Sequence, residues 1–479
     1  MRLVILLLAV AAAAGGAESK DVLLEQAIYK EETAGDIEAA IRLYREIVAA
    51  ADADRAVTAQ ALYRLGLCLE RRGRGGEARE AFDRLLREYG DQAELAAKVR
   101  ARVGPRLRPV PWADGEALWM STRAADSERY FGTEIHVAAR GAGGRTWILS
   151  RHRVSPAYRG NLDLLGGLAR LEADAETFVP IRFEHRDRGP NGTFEIRYAS
   201  GRAEVTTRGT TSAVALKAAA FDRWQVLPLL RRLPLEPGFS TTVPVFSSST
   251  GVVDARIKVV GRETLTVPAG TFECHKVTVT LGPVYTTDEP YWISADEHRY
   301  PVREGSTYLR DLTKIARWDA ASRPTFDDAA WGVSVSPPVG WLFTRSTPRA
   351  DESSFSAGFT SPDADVSCGI EFQSEAGYSW RREWRPREAA EAGLKSRTTA
   401  RPSHAVRASS WSDAPVAGLP AARYLADYRD NTSDKDMTEY AAYVRSQATV
   451  AEVSCRAPRA SFDSRKAEME ALLESLRLP

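Results

Sequence analysis

The apolar positions of the first hundred residues recur at helical spacing. Leu62, Leu65 and Leu69 fall on one face of a helix. Alanine, leucine, glutamate and arginine, which all favour helices, dominate this stretch, and the first proline is Pro105. We therefore predict an α-helical segment over residues 18–104, followed by a proline-rich linker over residues 105–111.

This helical segment contains an internal repeat. The stretch AGDIEAAIRLYREIV matches RGRGGEAREAFDRLL in phase, and the shared small and aromatic residues make the segment resemble a pair of tetratricopeptide repeats. The signature residues are Gly35, Ala40, Tyr44, Gly66, Gly73, Ala78 and Phe82. The resemblance implies helical hairpins that dock a protein partner. A spacer that only packs against the next domain is the alternative.

Beyond residue 111 the pattern changes to alternating apolar and polar positions, which is typical of β-strands. Stretches such as GTFEIRYAS and ARIKVVGRETLTV are separated by turns rich in Gly, Asn and Asp. This pattern predicts a meandering antiparallel sheet over residues 112–317. One apolar stretch inside it, FDRWQVLPLLRRLPL, predicts a helix that is interrupted by prolines.

Part of this sheet region resembles an uncharacterised family of bacterial envelope domains. The matching residues are Gly261, Glu263, Pro268, Gly270, Phe272, Trp292, Asp296, Pro301 and Val302. The fold of that family is similar to the lipoprotein-carrier type, a curved antiparallel sheet, or half-barrel, around a plug helix. The resemblance implies a concavity that holds a lipid or another apolar ligand. Its expected wall residues, which could equally be plain core, are Trp147, Phe183, Trp224, Leu227, Phe239 and Trp292.

Residues 318–330 are predicted to be a second linker, and residues 331–479 an α/β domain. The domain begins with WGVSVSPPVGWLF and ends with a helix in which Met469, Leu472, Leu473 and Leu476 share one face. This order of elements resembles the PsbP-like α/β/α sandwich, whose members are more often adaptors or assembly factors than enzymes. The polar stretch YRDNTSDKDMTEY could contact a partner or simply be solvated. The predicted fold class is multidomain α + β.

Motifs that carry catalytic chemistry are missing from the sequence. There is no C-x-x-C, H-E-x-x-H, G-x-S-x-G or phosphate-binding loop. Cys274 and His275 are adjacent on a predicted strand, so their side chains point to opposite faces. We therefore expect dispersed polar side chains, with no catalytic residue, metal or cofactor. The alternative is a hydrolase or metal-dependent enzyme using Glu184, Asp296 and His298, because such groups could converge in space.

Two further cysteines, Cys368 and Cys455, fall in strand-like segments of the last domain. If these strands are neighbours, the two thiols are close enough for a disulfide. Two separately buried thiols are the alternative.

The charge of the chain bears on its partners, and the N-terminal stretch bears on its compartment. Lys and Arg total 65 against 64 for Asp and Glu, without a tract of one sign, so no nucleic-acid partner is expected. The stretch MRLVILLLAVAAAAGGA has one basic residue, a short apolar run and small residues before a predicted cleavage after Ala17. A signal peptide over residues 1–17 predicts an exported protein, periplasmic or extracellular, that is not an integral membrane protein.

Overall fold

The computed structural model describes most of the chain, and its residues divide into two compact units, Met1–Pro105 and Arg106–Pro479. The described residues are 20–50, 54–103, 105, 107–126, 130–154, 167–186, 192–199, 201–216, 220–283, 286–345, 353–374, 385–400, 407–430 and 435–479. The predicted signal peptide therefore lies outside the described residues.

The first unit is α-helical in its described part, as the sequence predicts. Its helices are α1 (Lys20–Ile28), which continues into a π-helical turn (Tyr29–Thr33), α2 (Ile37–Ala49), α3 (Arg55–Arg71), α4 (Gly75–Glu88) and α5 (Ala93–Val103). The carboxylates of Asp36 and Asp54 accept backbone N–H groups at the starts of α2 and α3, which satisfies donors that have no partner within a helix.

Small residues let the helices of this unit pack closely. A Cβ at residue 66 would lie 2.4 Å from the ring of Phe82, so Gly66 gives α4 room against α3. Tyr44 and Phe82 are fully buried in the same core. Gly35 and Gly73 have φ of 67° and 74° in the turns before α2 and α4, where residues with a Cβ are strained.

The second unit begins with a large open sheet. Its first strands are β1 (Glu116–Ala124), β2 (Tyr130–Arg140), β3 (Thr146–Val154), β4 (Gly167–Asp174), β5 (Pro180–Arg186), β6 (Phe194–Ala199), β7 (Arg202–Thr207), β8 (Thr210–Ala215) and β9 (Phe221–Asp222). After helix α6 (Val226–Arg232) follow β10 (Ser240–Ser247), β11 (Gly251–Val267), β12 (Gly270–Gly282), β13 (Glu289–Ser294), β14 (Pro301–Glu304) and β15 (Tyr308–Arg317).

The first and last strands of this sheet meet in its middle. The strand order is β8-β7-β6-β5-β4-β3-β2-β1-β15-β14-β13-β12-β11-β10-β9, and among these pairs only β9 and β10 are parallel. Leu171 and Phe183 from one wing share a core with Val243 and Val277 from the other wing and with Leu230 of α6. The sheet is therefore curved around α6, and the predicted fold of sheet and plug helix is confirmed.

The last domain is built on a second sheet. Its elements are the hairpin β16 (Phe326–Asp328) and β17 (Val333–Val335), then β18 (Leu342–Arg345), β19 (Ser354–Thr360), β20 (Ser367–Ser374), α7 (Pro386–Ala400), β21 (Arg407–Ser412), β22 (Ala421–Asp430), β23 (Lys435–Arg445), β24 (Thr449–Pro458) and α8 (Arg459–Glu474). The sheet order is β18-β19-β20-β24-β23-β22-β21.

Consecutive residues of β23 pack against different helices. Tyr443 shares a cluster with Ala390 of α7, whereas Ala442 shares another with Met469 of α8. Because successive side chains of a strand point to opposite faces, the two helices cover opposite faces of the sheet, which makes an α/β/α sandwich. Phe326, which lies in the segment expected to be a linker, is buried in the core that contains α8.

The two sheets of this unit are in direct contact. The indole N–H of Trp119 on β1 donates to the carbonyl oxygen of Phe343 on β18, at 2.8 Å. Trp119 also shares a small apolar cluster with Ile135, Val137 and Leu342. Trp119, Ile135 and Val137 lie on the convex face of the curved sheet, whereas Leu342 belongs to β18 of the last domain. The last domain therefore covers part of that face. Among the described residues, no helix is long and apolar enough to cross a membrane.

Candidate functional site

A cavity with an empty volume of about 540 Å³ lies between the concave face of the first sheet and α6. Register explains its lining: Leu118 on β1 lies opposite His136 on β2, which lies opposite Arg151 on β3. The apolar part of the lining includes Trp112, Leu118, Leu149, Leu171, Phe183, Trp224, Leu227 and Pro228. The ionisable part is Glu116, His136, Arg151 and Arg231. The cavity is therefore an aromatic and aliphatic cleft that contains a few charged groups.

Three of the expected wall residues line this cavity, namely Phe183, Trp224 and Leu227. Trp147 lies behind the wall, with its ring centroid 5.9 Å from that of Trp112. Phe239 packs against the surrounding core and is only partly buried.

Trp292 does not line the cavity. It packs in a separate cluster with Cys274, and its indole N–H donates to the carboxylate of Glu263. The neighbouring Ile293 is the residue that joins the central core, and alternation along β13 then turns Trp292 away from it. Cys274 and His275 also point to opposite faces, as expected, because His275 lies opposite Ile293 and Cys274 opposite Ser294.

Two of the ionisable lining residues neutralise each other. Arg231 on α6 forms an ion pair with Glu116 on β1, with Nη1 2.6 Å from Oε1, and both side chains are less than 10% exposed. The guanidinium also donates to the carbonyl oxygens of His298 and Arg299, at 2.8 Å and 2.9 Å. The hydrogen-bonding capacity of Arg231 is thus largely used within the protein.

Next to the cavity, Glu134, His136 and Glu304 bring potential ligand atoms within 4.8 Å of one another. Glu134 and His136 are two residues apart on β2, so they share a face, and their side chains are 3.4 Å apart. Glu304 comes from β14, where it accepts a hydrogen bond of 2.8 Å from Arg310. The expectation that polar side chains would be dispersed is wrong on this face, because side chains of β2 and β14 meet although β1 and β15 lie between these strands.

The environment holds these groups in defined charge states. Burial alone would raise the pKa of Glu134, but the hydrogen bond with His136 and the charge of Arg310 outweigh burial and hold that pKa below its ordinary value. Burial likewise opposes ionisation of Glu304, yet Arg310 and Arg151 lower its pKa. Burial and the charge of Arg151 lower the pKa of His136, so its imidazole is neutral near pH 7.

Three guanidinium groups lie around this cluster. Arg310 pairs with Glu304, and Arg153 lies 3.8 Å from Glu134. Arg151 interacts electrostatically with both carboxylates. Two carboxylates and an imidazole are suitable donors for a divalent cation, but nearby guanidinium groups repel a dication and attract an anion.

The residues proposed for an alternative enzyme site are not brought together. Glu184 lies on β5 and pairs with Arg186 at 2.6 Å. Asp296 and His298 lie in the turn after β13, and six strands separate β13 from β5 in the sheet order. There the Asp296 carboxylate accepts from the backbone N–H of His298, which is the role of a turn residue.

The comparisons with known proteins match two parts of the chain. Residues 166–305 match the family described as Protein of unknown function (DUF3108), and residues 60–91 match the tetratricopeptide repeat. The predicted repeat fold is thereby confirmed for residues 60–91. Neither match concerns a lipoprotein carrier, so that resemblance stays a prediction. No curated protein matches the chain.

Several solved structures are similar in fold at low sequence identity. Cyanobacterial PsbP (CyanoP) from Synechocystis sp. PCC 6803 is 13% identical over 33% of this chain and 94% of that chain, with a TM-score of 0.26. A beta-barrel-like DUF1849 protein from Brucella abortus is 11% identical over 45% and 100%, with a TM-score of 0.31. The Saccharomyces cerevisiae Ran-binding protein Mog1p is 11% identical over 33% and 96%, with a TM-score of 0.25.

Proposed function

We propose that this chain is an exported, non-enzymatic binding protein. The helical repeats dock a protein partner, and the middle sheet domain holds an apolar ligand in its concave cavity. The observation that carries the proposal is the cavity itself. Its aromatic and aliphatic walls, with a few ionisable groups among them, are the kind of lining found in small-molecule sites.

The partner role rests on the tetratricopeptide match over residues 60–91, since such repeats commonly serve protein–protein interaction. Export is supported by the N-terminal sequence pattern and by the pairing of Cys368 with Cys455 in the structure, because disulfides persist in oxidising compartments.

Binding of a neutral apolar probe tests the cavity. N-phenyl-1-naphthylamine fluoresces in apolar surroundings, and we expect the protein from residue 18 onward to bind it with saturation. Ala169 lines the cavity on β4, so Ala169→Phe should fill the site and abolish binding. Ala213→Phe, at an exposed position of β8, is the matched control and should bind normally. Equal binding by both variants, or none by the wild type, would contradict the proposal.

A metal-dependent enzyme is the second candidate, and the gathering of Glu134, His136 and Glu304 favours it. We rank it second because the guanidinium groups of Arg151, Arg153 and Arg310 lie near these residues and repel a cation. Elemental analysis of the purified protein decides between the two. One bound metal ion per chain that is lost in His136→Ala would favour the enzyme.

A further inference from the structure

Arg151 lines two cavities. The cavity described above and a smaller one with an empty volume of about 250 Å³ share Arg151, Ala169 and Trp224 in their linings. Arg153 and Arg186 also line the smaller cavity. The lining of the smaller cavity thus contains three guanidinium groups and one carboxylate, that of Glu134.

Arg151 is the cation of the cleft with the least internal compensation. Glu116 is used by Arg231 at 2.6 Å, Glu304 by Arg310 at 2.8 Å, and Glu134 has Arg153 at 3.8 Å. Within the part of the chain that the structure describes, no acceptor lies within hydrogen-bonding distance of the Arg151 guanidinium.

The guanidinium of Arg151 is held in place by an aromatic ring. It lies over Trp224, with 5.3 Å from its central carbon to the ring centroid. Trp224 is fixed in turn, because its backbone N–H donates to the carboxylate of Asp222 at 2.8 Å. A guanidinium that lies over a ring is attracted by the face of the ring without using its N–H donors, so Arg151 retains donors for a ligand.

We propose that the ligand of the middle domain is an amphipathic monoanion, whose charged group binds Arg151 and whose apolar body packs against Phe183, Trp224 and Leu227. This inference rests on the proposed function, because it names the chemical class of the ligand that the cavity holds. The charged group of such a ligand matches the Arg151 guanidinium, for which the described residues supply no acceptor within hydrogen-bonding distance, and the apolar body matches the aromatic and aliphatic lining.

Two probes with the same ring system separate charge from apolar character. 8-Anilinonaphthalene-1-sulfonate is a monoanion, and N-phenyl-1-naphthylamine is the same ring system without the sulfonate. We expect the wild-type protein to bind the anion about tenfold more tightly, since a hydrogen bond to a charged group has roughly that effect. In Arg151→Met this preference should disappear through weaker anion binding, while the affinity for the neutral probe stays within about twofold.

Control variants keep the outcome interpretable. Arg151→Lys retains the charge and should retain most of the preference, and Arg197→Met removes an exposed guanidinium of β6 and should change neither affinity. Thermal unfolding confirms that each variant is folded. If neither probe binds the wild type, the proposed function itself fails. If both probes bind the wild type equally and Arg151→Met changes neither affinity, the cavity binds apolar ligands but the role of Arg151 is refuted.

Discussion

Arg231 of the plug helix and Glu116 of the central strand β1 form an ion pair at 2.6 Å, with side chains only 7% and 9% exposed. This pair joins α6 to the strand at which the two wings of the sheet meet. It also forms part of the cavity lining. Strand β1 and helix α6, which lie on opposite sides of the cavity, are therefore joined by a buried ion pair.

Removing one partner of this pair should destabilise the protein strongly. We expect Arg231→Met to lower the free energy of unfolding by about 3 kcal/mol, because the Glu116 carboxylate is left buried without its charge partner. Urea unfolding followed by tryptophan fluorescence measures the change. Arg197→Met, which breaks an exposed pair with Glu195, should cost less than about 1 kcal/mol. Equal losses in the two variants would show that burial does not govern this pair.

The stability of the sheet domain should depend on the ionisation of Asp222. Burial raises the pKa of this carboxyl to about 6, although Tyr198 and the Trp224 N–H donate to it. An unfolded aspartate ionises near pH 3.9, so between pH 4 and 6 the folded state keeps a proton that the unfolded state has released. Raising the pH through this window therefore reduces stability.

Asp222→Asn removes the ionisable carboxyl, so the stability of this variant should depend less on pH than that of the wild type. Between pH 4 and 7 we expect the wild type to lose about 2 kcal/mol more stability than the variant. Melting temperatures measured across this range compare the two proteins. Asp254→Asn on β11, at an exposed position, is the control and should follow the wild type. Parallel curves for wild type and Asp222→Asn would disprove the assignment.

The disulfide between Cys368 and Cys455 leaves two thiols. The bond joins β20 to β24 at opposed positions, and Cys68 and Cys274 remain free and buried. Alkylation after denaturation without a reductant should therefore modify two of the four cysteines, as counted by intact mass. Because 87 residues separate the bonded cysteines, the Cys368→Ser/Cys455→Ser variant should lose about 4 kcal/mol of stability. Four alkylated cysteines in the exported protein would contradict the pairing.

Gly66 should tolerate no side chain. A Cβ there would lie 2.4 Å from the ring of Phe82, so Gly66→Ala should separate α3 from α4 and cost about 1 to 3 kcal/mol. Circular dichroism at 222 nm follows the melting of the helical unit. Gly76→Ala is the matched control, because its Cβ would meet nothing within 4 Å, and it should stabilise α4 by about 0.5 kcal/mol. Replacing the ring by a smaller side chain, in Phe82→Leu, should restore part of the stability that Gly66→Ala loses.

Short-range periodicity made much of the fold predictable. The predicted apolar face is buried in the last core: Met469, Leu472 and Leu473 lie on α8, and Leu476 follows just after the helix ends. The turn at Pro268 and Gly270 joins β11 to β12, as the sequence indicates for a proline followed by glycine. These features depend on neighbours within a few residues, which a single sequence displays.

The polar cluster beside the cavity depends on contacts that a single sequence does not display. Glu134 and His136 form a detectable E-x-H pair on one strand face, but Glu304 joins them only because β1 pairs with β15 and β15 with β14. Aromatic character likewise does not reveal which face of a strand a residue joins. Trp292 was expected in the cavity wall as a large aromatic residue, but alternation along β13 places Ile293 in the central core and turns Trp292 away from it.

The contact of Trp119 with Phe343 makes the curved sheet and the neighbouring sandwich mechanically dependent on each other. If the first sheet changes its curvature, the contact between Trp119 and Phe343 must move, because the convex face of that sheet packs against the last domain. Heating should therefore melt the two β domains in one cooperative transition.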